Sequence, residues 1–218
     1  MHGLINRTIQ RFVSDTYGDA AWVRACATAE LGFVDFEAML TYDDELTLRV
    51  LEAVSGDLIK SQWEVLEDIG TYLVSHAEAV RRLLRFGGED FVEFLHSLDD
   101  LPDRARLAVA DLELPQLELR EHAPDRFSLR VSAGTAGFGH VMIGMLRSLA
   151  DDYGALALLE YKGGQADYEV VEITLIETGF AAGRNFELGA GRIARVVQSE
   201  MGQAIPRAIP DEGERKRQ

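Results

Sequence analysis

Apolar residues recur at helical spacing from the start of this chain, and the spacing changes near its middle. Leu4, Ile5, Ile9, Phe12 and Val13 mark one face of a helix that Tyr17-Gly18-Asp19 ends. The same periodicity predicts helices over residues 20–30, 43–56, 61–75, 78–86 and 89–110. Asp43 and Asp44 stand where carboxylates favour a helix start, ahead of Leu46, Val50 and Leu51. Beyond Pro115 the period shortens to two. Residues 116–120 and 126–132 alternate as strands around a His122–Asp125 turn, where Pro124-Asp125 is good turn chemistry. A helix is predicted over 139–153, then strands over 156–161 and 168–177 separated by Lys162-Gly163-Gly164-Gln165. Helices first, then a mostly antiparallel sheet with one inserted helix, describe an α+β fold, helical to about residue 110 and α/β over 111–178. From Gly179 the pattern fades and Pro206 and Pro210 discourage regular structure, so residues 179–218 read as a C-terminal extension.

Composition narrows the class. At 218 residues, 47% hydrophobic and 27% charged, the chain is long enough for one domain with a real core and has a water-soluble balance. No run approaches the ~18 apolar residues of a membrane-spanning helix. The first residues lack a secretory pattern, and the single Cys26 has no internal partner, which together predict a bacterial-type cytoplasmic protein. A net charge of −15 disfavours nucleic acid. The stretch from Arg192 to Gln218 runs the other way: its six Lys/Arg and four Asp/Glu leave −17 on the remainder.

Four local patterns in this order belong together: Met1-His2-Gly3-Leu4-Ile5, Phe94-Leu95 with Leu98-Asp99 and Leu101, Leu114-Pro115, and Val141-Met142-Ile143-Gly144-Met145-Leu146. Over about residues 1–178 they resemble the haem-nitric-oxide/oxygen-binding (H-NOX) domains, gas-sensing modules of bacterial signalling proteins and of soluble guanylate cyclase. The resemblance implies that Ile5 lies over the distal haem face, that Pro115 presses on the haem plane, and that the helix carrying Val141 and Leu146 closes the pocket. It implies a partner such as a histidine kinase or a cyclic-dinucleotide enzyme. It also implies a histidine on the iron at position 102, eight residues beyond Phe94 and thirteen before Pro115, where this chain has proline. Proline offers no imidazole nitrogen to a metal. The family's Tyr-x-Ser-x-Arg clamp for the haem propionates falls on Arg130-Val131-Ser132-Ala133-Gly134-Thr135-Ala136. One register gives Val131, Ala133 and Thr135; another keeps Ser132 between Arg130 and Gly134, and neither restores both Tyr and Arg.

With both anchors exchanged, the expected function is that of a non-enzymatic sensory or regulatory protein working through protein contacts in bacterial signalling, without ordinary five-coordinate haem. The alternative keeps a pocket of ~300–1,000 Å³ lined by Ile5, Ile9, Leu73, Leu101, Pro102, Pro115, Val141 and Leu146. That pocket would hold a fatty acid, another tetrapyrrole, or haem with unusual ligation by His140 or His96. His96 lies six residues before Pro102, about 120° around a helix, and for both histidines the plainer reading is an ordinary hydrogen-bonded side chain. His2, His76 and His122 show no metal-ligand spacing. Proline inside a helix costs ~3 kcal/mol, so Asp99 and Asp100 are expected to restart the helix with Pro102 in its first turn.

Three further motifs carry plain readings. Gly87-Gly88-Glu89-Asp90-Phe91 imitates a diguanylate-cyclase signature but opens an apolar-periodic helix, so a turn with acidic first-turn residues explains it. Gly134-Thr135-Ala136-Gly137-Phe138-Gly139 precedes a helix and could cradle an anion, without the spacing of a dinucleotide fingerprint. Cys26 reads as a buried structural thiol. No grouping of nucleophile, base and acid suggests an active site, and the oligomeric state is not legible.

Overall fold

The helical periodicity of the first half becomes seven helices in the computed structural model, which describes residues 1–132, 137–165, 167–181 and 183. They are α1 (Gly3–Tyr17), α2 (Asp19–Thr28), α3 (Asp44–Leu58), α4 (Gln62–His76), α5 (Glu78–Arg85), α6 (Phe91–His96) and α7 (Leu101–Ala108). Then come β1 (Leu117–Ala123), β2 (Arg126–Ser132), α8 (Phe138–Tyr153), β3 (Leu156–Gln165) and β4 (Tyr168–Glu177). Local chemistry sets the helix starts. His2 Nδ1 accepts the Leu4 amide at the head of α1. Ser61 and Glu64 form a reciprocal capping box at the head of α4.

The four strands form one antiparallel sheet in the order β1-β2-β4-β3. Its inner face carries the alternating buried residues Leu117, Phe127, Leu129, Val131, Val171, Ile173 and Leu175. The connection from β2 to β3 passes through α8, which lies between this face and α4. Backbones of α4 and α8 touch: a Cβ added at Gly70 would overlap the Val141 carbonyl, and one at Gly144 the Glu67 carbonyl. One hydrophobic cluster runs from Ile9 and Phe12 through Val65 and Ile69 to Phe94, Leu98, Leu146 and Ile173. No described helix is long and apolar enough to cross a membrane.

Three expectations change at their edges. The helix foreseen over 89–110 is in three pieces: α6, a 3-10 turn at Leu98–Asp100, and α7. The first hairpin is tighter than expected, with only Pro124 and Asp125 outside the strands. β3 continues through Lys162-Gly163-Gly164 to Gln165, because a register shift between Tyr161 and Gly164 absorbs the extra residue in the ladder instead of ending it.

Candidate functional site

The segment that carries the resemblance's ligand position is built by α6 and α7. Phe91, Phe94, Leu95, Leu98 and Leu101 are all buried in the core. Asp90 caps α6 by accepting the Glu93 amide at 2.9 Å. The preceding Gly87 and Gly88 lie so close to Ser97 and to Glu93-Phe94 that a Cβ at either would collide. That close packing accounts for the Gly-Gly-Glu-Asp-Phe stretch without catalysis. The helix does restart where expected, with Pro102 in the first turn of α7, but neither carboxylate caps it. Asp99 Oδ1 instead accepts the Leu119 amide of β1 at 2.7 Å, tying the break to the sheet. Arg104 reaches back across the break, donating from Nη2 to the Ser97 carbonyl at 2.9 Å and to its hydroxyl at 3.2 Å. Burial pushes the Arg104 pKa below the usual guanidinium range.

Pro102 is buried, and so is Pro115. Of the six apolar residues assigned to a pocket, Ile9 (3% exposed), Leu101 (4%), Val141 (8%) and Leu146 (0%) sit in the continuous core. Ile5 and Leu73 are half-buried. Val131 is an inward-facing core residue of β2, and Ser132 closes the β1 end, its hydroxyl accepting the Gln116 amide at 2.8 Å. Ala133, Gly134 and Thr135 lie outside the described residues. Arg130, the cation of the alternative register, stacks 3.6 Å over the Tyr168 ring.

The two replacement histidines are separated and each is engaged. His96 is half exposed, with Nε2 3.4 Å from Glu121 Oε2 and its ring edge-on to Phe127. His140 is buried in the first turn of α8 between the Trp63 indole, stacked at 4.9 Å, and the Tyr161 ring at 4.1 Å. Its Nδ1 lies 3.1 Å from Glu67 Oε1, and Arg147 donates to the other Glu67 oxygen at 3.2 Å. Of the anion cradle considered at the head of α8, the described part, residues 137–139, is occupied from within the fold. Glu169 of β4 accepts the Gly137 amide at 2.6 Å and the Gly139 amide at 2.7 Å. Trp63, Glu67, Tyr161 and Glu169 were not singled out in the sequence. Trp63 and Glu67 stand four apart on α4 and share a face, a signal for His140's surroundings; Glu169 lies 30 residues or more from its partners and left none.

The Haem-NO-binding family model matches residues 2–157. The chain belongs to this family. H-NOX structures share its fold: the Fe(II) unliganded H-NOX protein from K. algicida superposes with a TM-score of 0.70 at 17% identity, covering 86% of this chain and all of that one. An oxygen-binding H-NOX domain related to soluble guanylate cyclases, in its oxygen complex, gives 0.62 at 17% identity over 85% of this chain and all of that one. Among curated relatives, soluble guanylate cyclase 89Db of Drosophila melanogaster is 21% identical over 163 residues, 74% of this chain and 24% of its own length. Soluble guanylate cyclase gcy-31 of Caenorhabditis elegans is 24% identical over 157 residues, 70% of this chain and 22% of its own. This H-NOX chain thus spans about a quarter of the length of those cyclases. The fold is that of haem-binding sensor domains, not of a catalytic domain.

Proposed function

We propose that this H-NOX protein is a non-enzymatic regulatory module that works through protein contacts and has lost the usual anchors of haem. The observation that carries the reading is the packing at the ligand position. Pro102 is buried without a donor atom, and Ile9, Leu101, Val141 and Leu146, which the resemblance assigns to the pocket, lie in the continuous core and expose almost no surface. The walls of a cavity sized for a porphyrin, ~300–1,000 Å³ or more, would be accessible to water from inside. This packing, with proline at the ligand position, supports a haem-free reading, and no step of the proposed function runs through haem. His140 and His96 do not mend the misfit: each is held by other partners, on different elements. A signalling protein such as a histidine kinase or a cyclic-dinucleotide enzyme, in a bacterial cytoplasm, is the partner class the family supports.

The second reading, an apolar pocket for a fatty acid, another tetrapyrrole or unusually ligated haem, draws on the half-buried Ile5 and Leu73. Unfolding in the presence of candidate ligands separates the two. A ligand at a hundred times its Kd stabilises the native state by about 2.7 kcal/mol. The regulatory reading predicts no shift of the thermal midpoint with excess ferrous haem or oleate. A shift with either one restores the pocket.

A further inference from the structure

The connection between α2 and α3, residues 29–43, is long, lacks helix or strand, and is nevertheless held firmly. Phe36 is fully buried, with its ring against Phe33, Tyr42 and Trp22 at 5.2, 5.0 and 6.1 Å. Arg7 donates to the Phe36 carbonyl at 2.7 Å, Gln10 accepts the Phe36 amide at 2.9 Å, and the Trp22 indole donates to the Val34 carbonyl at 2.6 Å. Gly3 donates to the Leu40 carbonyl at 2.7 Å, closing the loop onto α1. A loop pinned this way has its apolar side chains placed, not left over. Yet Phe33, Val34, Met39 and Leu40 are 37%, 48%, 62% and 54% exposed. Scattered exposed apolar residues need no explanation, but four within eight residues of one pinned loop argue for an interaction surface.

The charge around them selects the partner. From Ala25 to Leu48 there is no Lys or Arg, while Glu30, Asp35, Glu37, Asp43, Asp44 and Glu45 are all exposed, and of these Asp44 pairs with the N-terminal ammonium. A groove of about 490 Å³ continues from the loop's first residues along α3; Glu30 and Glu52 line it with Arg49 and with Asp57, whose carboxylate Arg24 already pairs at 2.8 Å. An anionic lipid surface or a nucleic acid would be repelled, and so would the same acidic face of a second copy. We propose that the 29–43 loop is a docking surface for a basic, amphipathic segment of a partner protein. The segment's apolar side chains seat on Phe33, Val34, Met39 and Leu40, and its Lys and Arg side chains face the surrounding carboxylates. This rests on the reading that the chain works through protein contacts.

The test uses the full chain, isotope-labelled for NMR, and two synthetic peptides of about 18 residues with equal positive charge. In one the Lys residues alternate with Leu at amphipathic helical spacing; in the other Ser replaces Leu. The Lys/Leu peptide is expected to bind at least ~10-fold more tightly, a difference of about 1.4 kcal/mol, with shift changes confined to residues 29–57. Met39→Ser with Leu40→Ser is expected to bring its affinity down to that of the Lys/Ser peptide without moving the thermal midpoint, and Val34→Ser repeats the test at an independent exposed position. Equal affinities, shifts on another face, or variants that bind as the wild type overturn the proposal. So does a concentration-dependent dimer that Met39→Ser with Leu40→Ser abolishes, since the surface would then belong to self-association. Haem titration of the same samples decides the underlying reading separately: failed docking without haem binding removes only this site, and retained haem removes the haem-free reading whatever the peptides do.

Discussion

Replacing Glu169 by Ala tests whether the head of α8 is satisfied from within the fold. The carboxylate accepts two amides, from Gly137 at 2.6 Å and Gly139 at 2.7 Å. These are donors that a helix start leaves without intrahelical partners. Each charge-assisted bond contributes about 1.5–3 kcal/mol net, and partial solvent access to Glu169 places the pair toward the low end. Glu169→Ala should therefore cost about 2–4 kcal/mol. For a domain of this size that lowers the thermal midpoint by about 5–12 °C. Glu169→Gln retains one acceptor oxygen and turns an NH2 group toward the other amide, so about half the loss is expected. Urea unfolding followed by circular dichroism measures both variants. The reasoning is refuted if Glu169→Ala lies within about 0.5 kcal/mol of the wild type, or if Gln is as damaging as Ala.

Three further outcomes follow from the packing and the charges. Gly144→Ala drives a methyl into the Glu67 backbone and should cost about 3 kcal/mol, whereas Gly56→Ala, in α3 with nothing within 4 Å of the added carbon, should stabilise by about 0.5–1 kcal/mol; unfolding midpoints of opposite sign are the check. Arg104→Ala removes the guanidinium bonds to the Ser97 carbonyl and hydroxyl, leaving that carbonyl only the Asp100 amide, so about 1–2 kcal/mol of stability and the amide protection of residues 97–101 should be lost, which hydrogen exchange reads directly. Hydrogen bonds from the Ser61 amide and hydroxyl hold the Glu64 carboxyl below its ordinary range. A depressed folded-state value means that this contribution is complete above the ordinary carboxylate range and is lost as pH falls through the depressed one. The stability gap between wild type and Glu64→Gln should accordingly close as pH falls through and below the ordinary carboxylate range, and a gap that stays constant on acidification contradicts the assignment.

The architecture was legible because each half keeps one hydrophobic period. Ile9, Phe12 and Val13 face the core of α1, and Phe127, Leu129 and Val131 face it from β2, as their spacing predicts. Pro102 announced the helix break, since a proline is tolerated only near a helix start. How that break is held was not legible. Asp99 and Arg104 find their partners 20 residues away on β1 and 7 residues back at Ser97, and acidic residues before a helix read as caps whatever they bond. Lys162-Gly163-Gly164 looked like a turn because glycine permits one; only pairing with β4 shows that the strand carries on. The pocket assignments rested on resemblance, and sequence spacing cannot tell an apolar wall from an apolar filling. Val141 and Leu146 read alike in both cases. The anchoring of residues 29–43 depends on Gln10, Trp22 and Arg7 from two other helices, so a stretch without periodicity gave no hint of rigidity.

The measurement that bears most directly on the central claim is the absorption spectrum of the purified protein after excess ferrous haem and desalting, with and without nitric oxide. The account predicts that no Soret band stays with the protein and that nitric oxide changes nothing. A sharp Soret band that survives desalting, shifts with nitric oxide and disappears in His140→Ala or His96→Ala would contradict it and return the chain to haem-based gas sensing.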